Sequence, residues 1–191
     1  MIRKLLGATA AAALLVGGSV AVASPAGAAP LVPVAGNTAL VLNIPTVEAL
    51  IANNVSAYSI QPSGSTLLVE GKPGAWVIDF PMDRFEKGKR ITHIGGLLLS
   101  HTCGVDPQLG ILNPTINLVK AKVSAELTLN GEALGRKNVF GLSGGQAVET
   151  GLENVKVKLL PGVADLMNES LCTHTFVEGQ RVGKGYVTFY L

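Results

Sequence analysis

Charge, rings and sulfur are all scarce in this sequence. Of its 191 residues, 15% are charged and 5% aromatic, with one tryptophan, two cysteines and three histidines. The few charges are balanced. Setting aside Arg3 and Lys4 of the amino-terminal segment leaves 13 basic against 13 acidic residues. A chain of near-zero net charge with no basic run has no electrostatic reason to attract nucleic acid or an anionic membrane surface. Catalytic signatures are missing too. There is no G-x-S-x-G elbow, Walker loop, zincin helix or calcium loop. Gly141-Leu142-Ser143-Gly144-Gly145 has a serine among glycines but reads as a turn, and Gly104 to Gly110 lacks the acidic repetition of a calcium loop. Asp79 and Asp83 flank Phe80-Pro81-Met82 on a non-helical segment, where they read as solvated carboxylates. An enzyme is not the expectation.

Long apolar runs are also missing, except at the amino terminus. There Arg3 and Lys4 precede an Ala- and Gly-rich apolar stretch that ends in Ala26-Gly27-Ala28, the pattern of an export signal cleaved after residue 28. Ala21-Val22-Ala23 is a second candidate cleavage signal. No span of the membrane is expected. Residues 29–37 then read as a flexible lead-in and 38–191 as a single β-rich domain, secreted or associated with the cell wall.

What is present is strand patterning. Val123, Ala125, Leu127 and Leu129 alternate with Lys122, Ser124, Glu126 and Thr128, giving one buried and one wet face. Asn130-Gly131 then predicts a tight hairpin into Glu132 to Phe140, with Gly135 weakening the second strand. Further strands are predicted at 39–43, 66–70, 75–80, 90–100, 115–119, 154–159 and 186–190. Two segments resemble each other: LVLNIPTVEALIAN from Leu40 and VKVKLLPGVADLMN from Val155. Placing Pro45 on Pro161 brings Val47, Leu50 and Ile51 onto Val163, Leu166 and Met167, each set spaced as one face of a short helix. The expected fold is α+β and mostly antiparallel, a β-sandwich or partly open barrel with two short helices.

Cys103 and Cys172 lie in mirrored settings, His101-Thr102-Cys103 and Cys172-Thr173-His174. In an exported chain they are expected to form a disulfide, which the loop-entropy model values at ~4 kcal/mol. The competing reading is a Cys2His2 zinc site formed with His101 and His174. A third keeps the disulfide and uses His101 and His174, with Tyr186, Tyr190 or His93, to hold haem or copper, against the plainer reading that these tyrosines are strand residues packing one face.

The run Ile91 to His101 (ITHIGGLLLSH), followed by residues 113–142, resembles a family of secreted actinobacterial β-domain proteins. More distantly it resembles the HtaA haem-binding domains of cell-surface iron acquisition. The shared features are the histidine-then-glycine strand, the Asn113-Pro114 turn and the strand-helix segment VKVKLLPGVADLMN. The resemblance covers about the last two-thirds of the chain. It implies that His93 occupies the family's histidine position. Tyr58 lies in the region of the haem-ligating tyrosine, although its flanks NVSAYSIQ differ from the family's Trp- and Tyr-bearing segment. The expected function is a non-catalytic structural or binding module without a cofactor, its partner a cell-envelope component or small ligand. The alternative is haem or metal capture.

Overall fold

A computed structural model of the chain describes residues 36–68, 75–103 and 106–190. The export signal at 1–28 and all but the last two residues of the lead-in lie outside the described residues. Gly36 and Asn37, expected in that lead-in, already belong to the first strand, β1 (Gly36–Leu42).

The strands that follow are β2 (Val55–Ile60), β3 (Gly64–Leu68), β4 (Ala75–Glu86), β5 (Arg90–His93), β6 (Gly96–His101), β7 (Gln108–Asn117), β8 (Lys122–Leu129), β9 (Glu132–Ser143), β10 (Gln146–Val148), β11 (Gly151–Leu159) and β12 (Arg181–Phe189). Every pairing among them is antiparallel. The order β7-β5-β4-β1-β12-β11-β9-β8 returns to β7 through a β7–β8 ladder, so eight strands close a barrel. β6 and β2 extend from β7, while β3 and β10 pair with β4 and β11. Closure corrects the sandwich expectation and the partly open one. It depends on long-range pairings, above all β1 with β12 near opposite ends of the chain.

Local rules account for most of the elements. The hairpin from β8 to β9 turns on Asn130 and Gly131, both at positive φ (51° and 86°), as the Asn-Gly dipeptide favours. Gly135, also at positive φ, accompanies a shift of register opposite Leu127 and Thr128. The predicted strand at 90–100 is broken at Ile94-Gly95, with β5 and β6 lying end to end along one edge of β7. At the break the outer neighbour changes from β4 to β2.

Helices α1 (Ile44–Ala52) and α2 (Val163–Leu171) follow β1 and β11, the two neighbours of β12. The resembling segments thus occupy equivalent places on either side of one strand. Their helical phases differ. Asn43 caps α1 through a 2.8 Å bond to the Thr46 N–H, and Pro45 sits in its first turn. Gly162 takes φ 73°, so α2 starts after its proline and not around it. As a result Val47 and Val163 are both buried, but Ile51 is 69% exposed where Met167 is only 4% exposed. Both helices pack into the larger apolar cluster with Leu40, Leu99 and Leu159. A smaller cluster holds Ile91, Ile116, Val123 and Val187.

Cys103 and Cys172 form a disulfide with a Cα–Cα distance of 6.3 Å. It fastens the segment just past β6 to the left-handed carboxyl cap of α2. After the cap, Asn168 reaches forward to Phe176, its amide donating to the carbonyl at 2.8 Å and its oxygen accepting from the N–H at 3.0 Å. This loop therefore returns to β12 along a fixed path. Among the described residues no helix is long and apolar enough to cross a membrane.

Candidate functional site

His93 ends β5 inside the barrel and is 3% exposed. A bulge in β7 explains its setting. The register between β7 and β8 shifts between Leu112 and Thr115, where Asn113 takes a positive φ and Pro114 has no N–H to give. The Pro114 carbonyl lies 2.9 Å from Nδ1 of His93 and can only accept, so Nδ1 carries the proton. Nε2 is then the acceptor for the Thr38 hydroxyl at 2.7 Å. The ring also meets Phe80 edge-on, with centroids 6.4 Å apart. Burial pushes the imidazole below its usual range, partly opposed by the bond to Pro114. Beside it lies an interior cavity of about 90 Å³ between the two apolar clusters, walled by residues such as Leu40, Ile116, Ala125 and Val187. Thr38 and His93 are the polar side chains on its wall, and they bond each other. An apolar void of this kind stays dry or takes a small apolar molecule.

The other predicted residues are dispersed. His101 pairs in register with Val55 and continues the inward series Leu97 and Leu99 on β6, whereas Tyr58 pairs with Leu98 and faces outward. Tyr58 and His101 are thus on opposite faces of the β2–β6 pair. Nδ1 of His101 is buried and has no hydrogen-bond partner among the described residues. His174 is exposed beside the disulfide, and both sulfurs that zinc would need are consumed in that bond. Tyr186 donates to the Asn154 side chain at 3.1 Å, and Tyr190 is exposed at the end of β12. No three His, Cys, Asp or Glu side chains converge among the described residues.

Around Tyr58 the arrangement is different. An open groove of about 340 Å³ is lined by Ile51 from the end of α1, Asn54 from the turn after it, Val55 and Tyr58 from β2, and Trp76 from β4. Tyr58 is 55% exposed, and its hydroxyl has no hydrogen-bond partner among the described residues. Ile51 and Tyr58 are both exposed on the wall of this groove, at 69% and 55%. Tyr58 is a candidate from the sequence, whereas its neighbours in the groove are not. Trp76, the chain's one tryptophan, carried a signal that composition alone could have raised.

A second groove, of about 360 Å³, lies on the outer face of β5, β7, β8 and β9 and is lined by polar and basic residues including Arg90, Lys122 and Arg136.

No family model matches this sequence, and no curated protein matches it. Among solved structures, the C-terminal domain of HtaA from Corynebacterium glutamicum is similar, with a TM-score of 0.50 and 12% sequence identity over 81% of this chain and 98% of that one. The similarity is distant and is one of fold. It extends the resemblance noted in the sequence from short motifs to the architecture of the barrel.

Proposed function

We propose that this protein is a non-catalytic binding module of the extracellular or cell-wall space that takes a flat, largely apolar ligand in the groove between Tyr58, Trp76 and Ile51. The carrying observation is the contrast between inside and outside. On the wall of the barrel cavity Thr38 bonds His93 and His93 bonds Pro114, whereas the Tyr58 groove is open and carries aromatic side chains. Binding pockets of this type combine apolar walls with a few polar groups that fix orientation, here the Tyr58 hydroxyl and the Asn54 amide. The location is supported by the export signal read in the sequence and by the Cys103–Cys172 disulfide, a bond that persists in oxidising compartments.

A second reading, haem as the ligand, is favoured by the free phenol of Tyr58 and by the resemblance to HtaA-type domains. The fit differs between the two candidate residues. His93 does not fit an iron ligand, because one ring nitrogen carries a proton bonded to Pro114 and the lone pair of the other is held by Thr38. Tyr58 does fit, since a phenolate oxygen is an established iron donor and this one is exposed on an apolar wall. Titration with haemin and with iron-free protoporphyrin tests both readings. Quenching of Trp76 fluorescence by both compounds, with a shifted Soret band for haemin that Tyr58→Phe removes, supports haem. Quenching by both with no dependence on the phenol supports a general planar-ligand site. No quenching by either overturns the assignment of this groove.

A further inference from the structure

The basic groove is invisible in the linear sequence, because its cations come from residues 90, 120, 122 and 136, scattered through a chain whose net charge is only +2. Strand register assembles it. Thr92 pairs with Thr115, Thr115 with Ser124, and Ser124 with Asn138, laying a row of hydroxyl and amide groups straight across four adjacent strands. One step along, Arg90 pairs with Asn117 and Asn117 with Lys122. Lys120 is held beside them by the turn in which its N–H donates to the Asn117 side chain at 2.9 Å. On the other flank, Arg136 lies over the row, donating to Thr115 Oγ1, to Ser124 Oγ and, at 2.8 Å, to Glu126.

Charge bookkeeping over this face leaves a positive surplus. Arg136 is matched by Glu126, and Arg90 shares Glu86 with Lys89, but neither Lys120 nor Lys122 has an acidic partner among the described residues. Among the described residues no carboxylate and no aromatic ring lines the groove, and the Asp83 carboxylate reaches only its β5 edge, where Thr92 Oγ1 donates to it at 3.5 Å. At ~4.8 Å per strand the row runs about 14 Å from β5 to β9, which suits a short stretch of polymer better than one small anion.

We propose that this face binds an anionic glycan, a sugar polymer carrying carboxylate or phosphate groups, with Lys120, Lys122 and Arg90 meeting the acid groups and the Thr92-Thr115-Ser124-Asn138 row meeting the hydroxyls. The hydroxyl and amide row sets this apart from a plain polyanion site. The lack of rings for base stacking disfavours single-stranded nucleic acid. The groove shares no lining residue with that of Tyr58, so either assignment can fail without the other.

The test is binding of the whole secreted protein to immobilised polygalacturonate and to a phosphomannan, with neutral dextran and a single-stranded oligonucleotide as comparators. The expected result is binding to one or both acidic glycans, none to dextran, and weakening as salt is raised. Lys120→Gln with Lys122→Gln is expected to weaken it about tenfold. Asn138→Ala should weaken glycan binding without changing its salt dependence, which separates the amide contact from simple charge attraction. Binding to dextran as tight as to the acidic glycans, tighter binding to the oligonucleotide, no glycan binding, or lysine variants that bind like the parent protein would each overturn the proposal. Unchanged thermal unfolding of the variants ensures that a loss is read at the surface.

Discussion

Mild acid should weaken the barrel through His93, and the sign follows from its surroundings. Its folded-state pKa lies below the ordinary 6.5, because burial disfavours the charged ring more than the bond to Pro114 favours it. Between the two pKa values the unfolded chain holds a proton that the folded one refuses. The stability contributed by the neutral ring is therefore complete above about pH 6.5 and is lost as the pH falls from there toward the folded-state pKa. One such proton gives a slope approaching ~1.4 kcal/mol per pH unit within that window. Urea unfolding of the parent protein and of His93→Asn between pH 8 and pH 5 isolates this term, since other titrating groups act on both. Asparagine can still donate to the Pro114 carbonyl but does not titrate. The variant should be less stable at pH 8 and should show a flatter decline toward pH 5. Parallel declines for the two proteins would refute the neutral, doubly bonded histidine.

Three further outcomes follow from the packing. Replacing Cys103 and Cys172 by serine, or reducing the parent protein, should lower stability by ~4 kcal/mol in denaturant titration, with the end of α2 the first part to lose hydrogen-exchange protection. Gly183→Ala would put a methyl group 2.1 Å from the Val41 carbonyl oxygen, where β12 passes β1, so a loss of at least ~1–3 kcal/mol is expected in thermal unfolding. Asn168→Ala should cost ~1–3 kcal/mol by stranding the Phe176 backbone groups, measurable by the same method.

Local signals were readable where one residue type decides a conformation. β8 has its predicted bounds, and its hairpin turns on the predicted Asn-Gly pair. Elements whose reason is distant were not readable in the same way. β2 alternates weakly and has a polar face, so VSAYSI resembles a loop until β6 pairs with it. β7 extends well upstream of the predicted 115–119, because the strand passes Pro114 by way of a bulge between Leu112 and Thr115. β10 is three exposed residues whose only support is β11. Barrel closure follows from which strands meet, and alternation along one strand carries no information on that.

The same division holds for the candidate sites. The pairing of Cys103 with Cys172 could be reasoned from compartment and cysteine number, and the two are bonded. The surroundings of His93 could not, since its partners lie 55 and 21 residues away. A histidine in a strand can serve as ligand or as core, and only those partners distinguish the two. The basic face escaped notice for a related reason. A near-zero sum over the residues after the amino-terminal segment conceals a local surplus that register alone creates.

Ligand is proposed to bind on the outside, at Tyr58 and Trp76, while the barrel interior serves stability. Haemin titration followed by Trp76 fluorescence, run in parallel on Tyr58→Ala and His93→Asn, tests it most directly. The expected result is quenching that Tyr58→Ala weakens at least about tenfold, the loss of ~1.4 kcal/mol of contact, and that His93→Asn leaves intact under conditions where it is folded. Binding that survives Tyr58→Ala and disappears in folded His93→Asn would contradict it and return the site to the barrel interior.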